Sequence, residues 1–158
     1  MVVESLSPSR AQDFMQCPQL YKFRVIDQIP EPPSAAAVRG TLVHEVLERM
    51  FDLPAQRRTQ EETIALLAAA WQTVVAEDPN ALDVVEGQGE PDPEAIARWL
   101  AEAEPYIAAY FTLEDPRRLE PAAREEWVSV QTPAGLTLRG IIDRIDIAPD
   151  GALRIVDY

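Results

Sequence analysis

Apolar residues recur along this chain with two different spacings, and the change of spacing divides it into a helical part and a strand part. From Phe14 to Phe111 they recur at every third or fourth position, which is typical of one face of a helix. From Trp127 onward apolar and polar residues alternate, which is typical of strands. Helices followed by a run of strands predict an α+β fold.

Three helices are predicted in the first third of the chain. Ser7 is a good N-cap and Pro8 suits a first helical turn, so the first helix begins there. Pro18 ends or kinks that helix and can also begin the second, which stops at the prolines of residues 30–33. A third helix is predicted from about Ala35 to Phe51. Its apolar stripe consists of Val43, Val46, Leu47 and Met50.

Two further helices are predicted in the middle of the chain, on either side of a loop. Thr59 opens the fourth helix with a capping box, and Asp92 caps the fifth, which Pro105 should kink midway. Residues 77–92 are acidic and rich in Gly and Pro, so we expect a mobile solvated loop there. The side chains expected to point inward from the fourth helix are Ile64, Leu67, Trp71 and Val74.

Three strands joined by turns are predicted at the end of the chain. Residues 132–135, with the sequence TPAG, supply a turn between a strand around Trp127 and one that begins at Leu136. Asp150 and Gly151 supply the next turn, and Asp-Gly between alternating apolar residues is the strongest short-range signal for a hairpin. The three strands should therefore form an antiparallel meander.

The register of the last hairpin can be predicted from its turn. A three-residue loop with Gly151 in the left-handed conformation sets Ile145 opposite Ile155 and Asp143 opposite Asp157, whereas a two-residue loop would break one apolar match. Carboxylates directly opposite each other, with Cβ atoms about 4.5–5.5 Å apart, repel unless a cation lies between them. A divalent metal ion is one resolution, and a surface hairpin with two solvated aspartates is the other.

Length and composition predict one domain in the cytoplasm. The chain has 158 residues, which is enough for one hydrophobic core and too few for two comfortable ones. No apolar run has membrane-spanning length, and the first residues do not resemble a secretory signal, so no membrane partner is expected. A single cysteine cannot form an internal disulfide, which favours a reducing compartment.

The net charge of −13 does not by itself favour a nucleic-acid partner. Its distribution is uneven, because residues 59–126 carry sixteen acidic groups and only four basic ones. Residues 1–58 carry seven of each kind, and residues 127–158 carry four acidic and three basic groups. The candidate DNA contacts are Arg10, Tyr21, Arg24, Arg39 and Arg144.

The final hairpin carries the motif that points most directly to a function. GIIDRID followed by IVDY resembles the catalytic hairpin of the RecB-like exonucleases, in the PD-(D/E)XK nuclease superfamily. The resemblance implies that Asp143 and Asp157 are the two catalytic, metal-binding acids. It also implies a lysine immediately after Tyr158, where this sequence stops. We therefore expect a domain incomplete at its C-terminus, and no detectable nuclease activity from these residues alone.

His44 is the third candidate metal ligand. A lone histidine beside an apolar helical stripe is usually a satisfied boundary residue. However, GTLVHEVLE resembles the family's G-x-x-x-H-x-x-L-E helix, whose histidine adds a nitrogen ligand to the metal. Gly40, one turn before His44, would leave space above the imidazole for metal or substrate. Glu125 and Glu126 begin the first long strand and could approach the metal, but we expect them to be exposed charges.

Cys17 allows two interpretations. A free cysteine is most often buried, here near Phe14 and Tyr21. Yet FMQCPQLY resembles the cysteine motif of the iron–sulfur branch of the family, which includes CRISPR-associated exonucleases and AddB-type nucleases. There one N-terminal cysteine joins three C-terminal ones around a 4Fe-4S cluster. The other three are absent here, so a cluster is expected only in a longer parent protein.

The resemblance implies a single RecB-like nuclease domain over residues 1–158, with an acidic helical insert at about residues 55–120. The fold would be the front part of a restriction-endonuclease-like core. The implied activity is metal-dependent hydrolysis of DNA from its ends, in repair or recombination, with Mg²⁺ or Mn²⁺ as cofactor. Candidate partners are single-stranded DNA or duplex ends, and a helicase subunit. The alternatives are a non-catalytic nuclease-like module that grips DNA or a helicase, and an acidic helical adaptor.

Overall fold

Four strands form a mixed sheet in the computed structural model, which describes residues 5–86 and 92–158, apart from the side chain of Glu86. The strands are β1 (Ser5–Leu6), β2 (Ala123–Gln131), β3 (Thr137–Ile147) and β4 (Leu153–Val156). β3 is central, with antiparallel β2 along one edge. Its other edge pairs in parallel with β1 at its start and antiparallel with β4 at its end. The predicted meander and the α+β fold are confirmed, whereas the two-residue β1 has no signal in the sequence.

The register predicted for the last hairpin is confirmed. Ile145 pairs with Ile155, and Ile147 pairs with Leu153. The loop closes through the Ala148 N–H, which donates to the Ala152 carbonyl at 2.9 Å. Gly151 has φ = +85°, the left-handed conformation that this turn requires and that glycine adopts at little cost.

Helices α1 to α8 precede the long strands, and the predicted helix starts are confirmed at three caps. Ser7 Oγ accepts a hydrogen bond from the Arg10 N–H at 3.4 Å, Thr59 Oγ1 from Glu62 at 3.3 Å, and Asp92 Oδ1 from Ala95 at 2.7 Å. The second helix continues from α2 through a π-helical turn at Lys22–Ile26. The helices are α1 (Pro8–Gln16), α2 (Pro18–Tyr21), α3 (Ala35–Met50), α4 (Gln60–Ile64), α5 (Leu67–Glu77), α6 (Asp83–Glu86), α7 (Pro93–Ala101) and α8 (Glu104–Leu113).

Two predictions for the middle of the chain need correction. The expected fourth and fifth helices are each two helices, and Pro105 lies in the first turn of α8 instead of kinking one long helix. The prediction of a solvated loop is wrong for residues 79–86, which form a 3₁₀ turn and α6. Ala81 is only 1% exposed and packs into the core. Residues 87–91 of that predicted loop lie outside the described residues.

The hydrophobic core lies around α3. Val46, Leu47 and Met50 of its predicted stripe are buried, and Val43 is partly buried against them. The acidic middle segment shares this core, because α5, α7 and α8 pack their apolar residues onto α3. The core residues of this segment are Leu67, Ala70, Trp71, Val74, Trp99, Ala103 and Ile107. In the described residues, no helix combines the length and apolar character needed to cross a membrane.

Candidate metal site

Three side chains from three different elements converge at the edge between α3 and the sheet. His44 of α3, Glu125 of β2 and Asp143 of β3 each offer a ligand atom, and these atoms all lie within 4.8 Å of one another. His44 Nδ1 is 3.3 Å from Asp143 Oδ2. The structure therefore brings two of the three expected metal ligands, His44 and Asp143, into contact.

Glu125 joins this group because of its place in the β2–β3 ladder. Arg124 pairs with Arg144 and Glu126 with Ile142, so Glu125 lies at the position opposite Asp143. Its backbone has φ = +46°, an uncommon conformation for a residue with a side chain. We expected Glu125 to be an exposed charge that could approach the metal, and the structure places it in the group with His44 and Asp143. The register of β2 could have been counted back from the TPAG turn, which would have placed Glu125 opposite Asp143.

The electrostatics of the group suit a cation. The pKa of the Glu125 carboxyl is raised above its ordinary value by burial, then by the nearby carboxylates of Asp143 and Glu48. Burial also raises the pKa of Glu48, and the charge of Glu45 adds to that effect. Two carboxylates and one imidazole are donors that Mg²⁺ or Mn²⁺ accepts, and a divalent ion would offset the repulsion between the acids. The residues present therefore fit a divalent metal ion.

Asp157 reaches the predicted position in the ladder but lies outside the compact group. The register carries it to the position opposite Asp143, because Arg144 pairs with Val156, yet Asp157 lies one residue beyond β4 and is exposed. Among the described residues, the compact group of possible metal ligands comprises His44, Glu125 and Asp143 without it. Asp143 Oδ2 instead accepts a hydrogen bond of 2.8 Å from the backbone N–H of Tyr158.

Tyr158 links the metal group to a buried ion-pair network. Its ring meets the His44 ring edge-on, with centroids 5.8 Å apart. Its hydroxyl lies 3.3 Å from Nη1 of Arg144, which also donates to the hydroxyl of Tyr110 at 3.2 Å. The residue that fixes one side of Asp143 is thus itself held by Arg144.

Arg144 is buried and does not contact solvent, which corrects its prediction as a DNA contact. Its side chain is 0% exposed and pairs with Glu114 and Asp146. Burial alone would lower the pKa of the guanidinium, but the hydrogen bond to Glu114 raises it overall. In return, the pKa of Glu114 is lowered: burial would raise it, but Arg144 and Tyr110 stabilise the carboxylate. The residue lies between two aspartates on β3, and sequence alone did not show that its side of the strand faces α8.

The other expected DNA contacts have varied surroundings. Tyr21 is buried, with its ring edge-on to Phe14, so its face is not free to stack on a base. Arg24 is exposed but donates to Glu31 and Asp13. Arg10 is partly buried in α1.

Arg39 lies on α3, five residues before His44. Its guanidinium lies 4.5 Å from the centre of the Trp99 ring and pairs with Glu102. Its Nε atom is buried and has no hydrogen-bond partner among the described residues.

Cys17 is exposed, so the expectation of a buried thiol is wrong. The residue lies in the extended link between α1 and α2, with φ = −160°, where Pro18 begins the new helix. It is the only cysteine of the sequence, so these residues alone cannot complete a four-cysteine cluster.

The sequence matches that of a known protein family. The family model of the PD-(D/E)XK nuclease superfamily matches residues 5–158. No curated protein matches the chain. No solved structure matches it either.

Proposed function

This chain belongs to the PD-(D/E)XK nuclease superfamily, and from that membership we propose that it is a metal-dependent DNA exonuclease acting in repair or recombination. The observation that carries the proposal is the convergence of His44, Glu125 and Asp143 within 4.8 Å. The two carboxylates, on neighbouring strands, are ligands that suit Mg²⁺ or Mn²⁺, and the imidazole from the facing helix adds a nitrogen donor; a metal so bound can promote hydrolysis of a phosphodiester.

In this proposal, His44, Glu125 and Asp143 hold the metal, and Asp157 adds a second catalytic acid at the rim of the site. A divalent ion bound there supplies a Lewis acid that polarises the scissile phosphate and lowers the pKa of water. The Tyr158 N–H holds the Asp143 carboxylate in place through its 2.8 Å hydrogen bond. The proposed catalytic residues remain Asp143 and Asp157.

The proposed function also assigns DNA contacts, partners and a location. Arg10, Arg24 and Arg39 are the proposed phosphate contacts, whereas Tyr21 and Arg144 are withdrawn because both are buried. We also propose a helicase partner, a cytoplasmic location and a 4Fe-4S cluster that combines Cys17 with further cysteines. Residues 55–120 are proposed to be an acidic insert whose helices share the core of α3.

Mn²⁺ calorimetry tests the metal site. We expect the wild-type chain to bind Mn²⁺. Glu125→Gln or Asp143→Asn should lower the Mn²⁺ affinity at least about tenfold, because each substitution removes one charged ligand. Asp83→Asn is the matched control, since Asp83 is an exposed carboxylate on α6. Equal Mn²⁺ affinities of the wild type and Asp143→Asn would show that Asp143 is not a ligand and would refute the proposed metal site.

End-dependence tests the exonuclease assignment. The assay needs a chain that carries a lysine directly after Tyr158, the residue that the family resemblance implies there. With Mn²⁺ we expect loss of linear DNA, no loss of covalently closed circular DNA, and no cleavage of either by the Asp157→Ala variant. Cutting of closed circles at the same rate would exclude exonuclease action.

A further inference from the structure

A cavity of about 490 Å³ opens beside the candidate metal site. It lies between α3, α8 and the end of β4, and its walls include His44 and Asp157. A group bound in the cavity would therefore adjoin any phosphate held at the metal site. Its volume falls within the range of about 300–1,000 Å³ that is usual for small-ligand pockets.

Gly40 keeps part of this cavity open. It lines the cavity one turn before His44, and a Cβ atom built on it would meet nothing within 4 Å. The space predicted above the imidazole therefore exists and is continuous with the cavity. A large side chain at this position would project into that space from a regular helix.

The cavity walls are mostly apolar and aromatic. Val43, Leu47 and Leu113 supply aliphatic surface, and Tyr106, Tyr110 and Tyr158 supply rings. The hydroxyls of Tyr110 and Tyr158 are held by Arg144, whereas the side chain of Tyr106 is 55% exposed at the rim. An exposed ring beside an aliphatic wall is suited to stacking against a flat heterocycle.

One wall residue supplies positive charge. Arg39 lines the cavity, and its guanidinium lies 4.5 Å from the centre of the Trp99 ring and pairs with Glu102. A guanidinium beside the cavity favours a ligand that carries a phosphate. An aromatic and aliphatic wall with a nearby guanidinium matches a nucleobase joined to a sugar phosphate.

We propose that this cavity is a subsite for one unpaired nucleobase of a nucleic-acid strand whose backbone passes the metal site. The proposal rests on the proposed nuclease function and specifies what that site holds beside the phosphate. A base inside a duplex is stacked and paired, and flipping it out costs a few kcal/mol, so the subsite takes a base from a single strand or a frayed end.

Two hexanucleotides separate base binding from backbone binding. In the first, every base is replaced by hydrogen, and the second is identical except for one thymine. Fluorescence anisotropy in EDTA measures both affinities without metal or cleavage. The thymine should tighten binding by about 5- to 150-fold, the range that corresponds to 1–3 kcal/mol for one stacked base. Equal affinities, including no binding of either probe, overturn the proposal.

Gly40→Leu tests whether the cavity is where the base binds. This variant should abolish the preference for the thymine probe while leaving the all-abasic probe unchanged within about twofold. Ala37→Leu adds the same side chain on an exposed part of α3, outside the cavity, and should keep the preference. A preference retained in a folded Gly40→Leu variant would place the base elsewhere and overturn the proposal.

Variants of Tyr106 and Asp143 complete the test. Tyr106→Phe keeps the ring and should keep most of the preference, whereas Tyr106→Ala should reduce it. Asp143→Asn should keep the thymine preference although it loses Mn²⁺ affinity, so failure of the metal site and failure of the base subsite give different results. Loss of the preference in Tyr106→Phe and Tyr106→Ala alike would contradict stacking on this ring.

Discussion

The charged side chain of Arg144 is completely buried, and its partners explain why the fold tolerates a buried charge. It forms ion pairs with Glu114 and Asp146 and contacts the hydroxyls of Tyr110 and Tyr158. A buried charge is retained only where acceptors satisfy it. Because Tyr158 in turn holds Asp143, we interpret Arg144 as a positioning residue for the candidate metal site.

The structure contains a matched pair for measuring the role of Arg144. Arg154 pairs with the same two acids, Glu114 and Asp146, but its side chain is 53% exposed, whereas that of Arg144 is 0% exposed. Arg144→Lys should lower the free energy of unfolding by about 3 kcal/mol, because the lysine cannot satisfy both acids. Arg154→Lys should lower it by no more than about 1 kcal/mol. Urea denaturation measures both, and equal losses would contradict the assigned difference.

Positioning also predicts an effect on metal binding. In a folded Arg144→Lys chain, Mn²⁺ affinity should fall although no ligand has changed, whereas Arg154→Lys should bind Mn²⁺ like wild type. An unchanged Mn²⁺ affinity of the Arg144→Lys variant would show that Arg144 contributes to stability but does not position the metal site.

Glu114 should make this network sensitive to acid. Its pKa in the folded chain is lowered from the ordinary value of 4.5. A lowered carboxyl pKa stabilises the fold above the unfolded pKa, and that contribution is lost as the pH falls through the folded pKa. The stability difference between wild type and Glu114→Gln should therefore be full at pH 7 and shrink below about pH 4.5. A difference that grows with acidity would contradict the direction of this pKa shift.

At the scale of single elements, two glycines with the same open surroundings should respond oppositely to alanine. A Cβ atom would meet nothing within 4 Å at either Gly40 or Gly151, but Gly40 is helical and Gly151 has φ = +85°. Gly40→Ala should stabilise the fold by about 0.5–1 kcal/mol, because alanine loses less backbone entropy in a helix. Gly151→Ala should destabilise it by about 1 kcal/mol, the cost of a left-handed alanine.

Thermal denaturation of both variants distinguishes these effects. Destabilisation by Gly40→Ala would show that α3 tolerates no side chain there, which would also remove the basis for using Gly40→Leu as a cavity filler. A neutral Gly151→Ala would contradict the turn that sets the β3–β4 register.

The elements that sequence predicts well are those fixed by local signals. The start of α1 and the register of β3 with β4 follow from a serine cap and an Asp-Gly turn, each within a few residues. β1 has only two residues, and its pairing depends on a strand more than a hundred positions away, so no local pattern announces it. α4 packs against both α3 and α8, and the local sequence around the break between α4 and α5 shows neither contact.

At the scale of the whole molecule, the candidate site also combines residues that local motifs predict with residues that depend on distant contacts. His44 and Asp143 could be named from motifs, whereas the contribution of Glu125 depends on the pairing of β2 with β3. The burial of Arg144 depends on which side of β3 faces α8. Residues 59–126 carry most of the negative charge and include Glu125, whereas His44 lies earlier in the chain, on α3, and Asp143 later, on β3. The three ligands are far apart in the sequence, and only the fold brings them together.

The central claim is that His44, Glu125 and Asp143 bind one divalent metal ion. Anomalous scattering from crystals grown with Mn²⁺ tests it most directly, because the measurement locates the ion without assuming its ligands. We expect one strong peak within about 2.6 Å of a donor atom from each of the three side chains. The Asp143→Asn variant should lack that peak. A strong Mn²⁺ peak elsewhere, with none at these three residues, would contradict the claim.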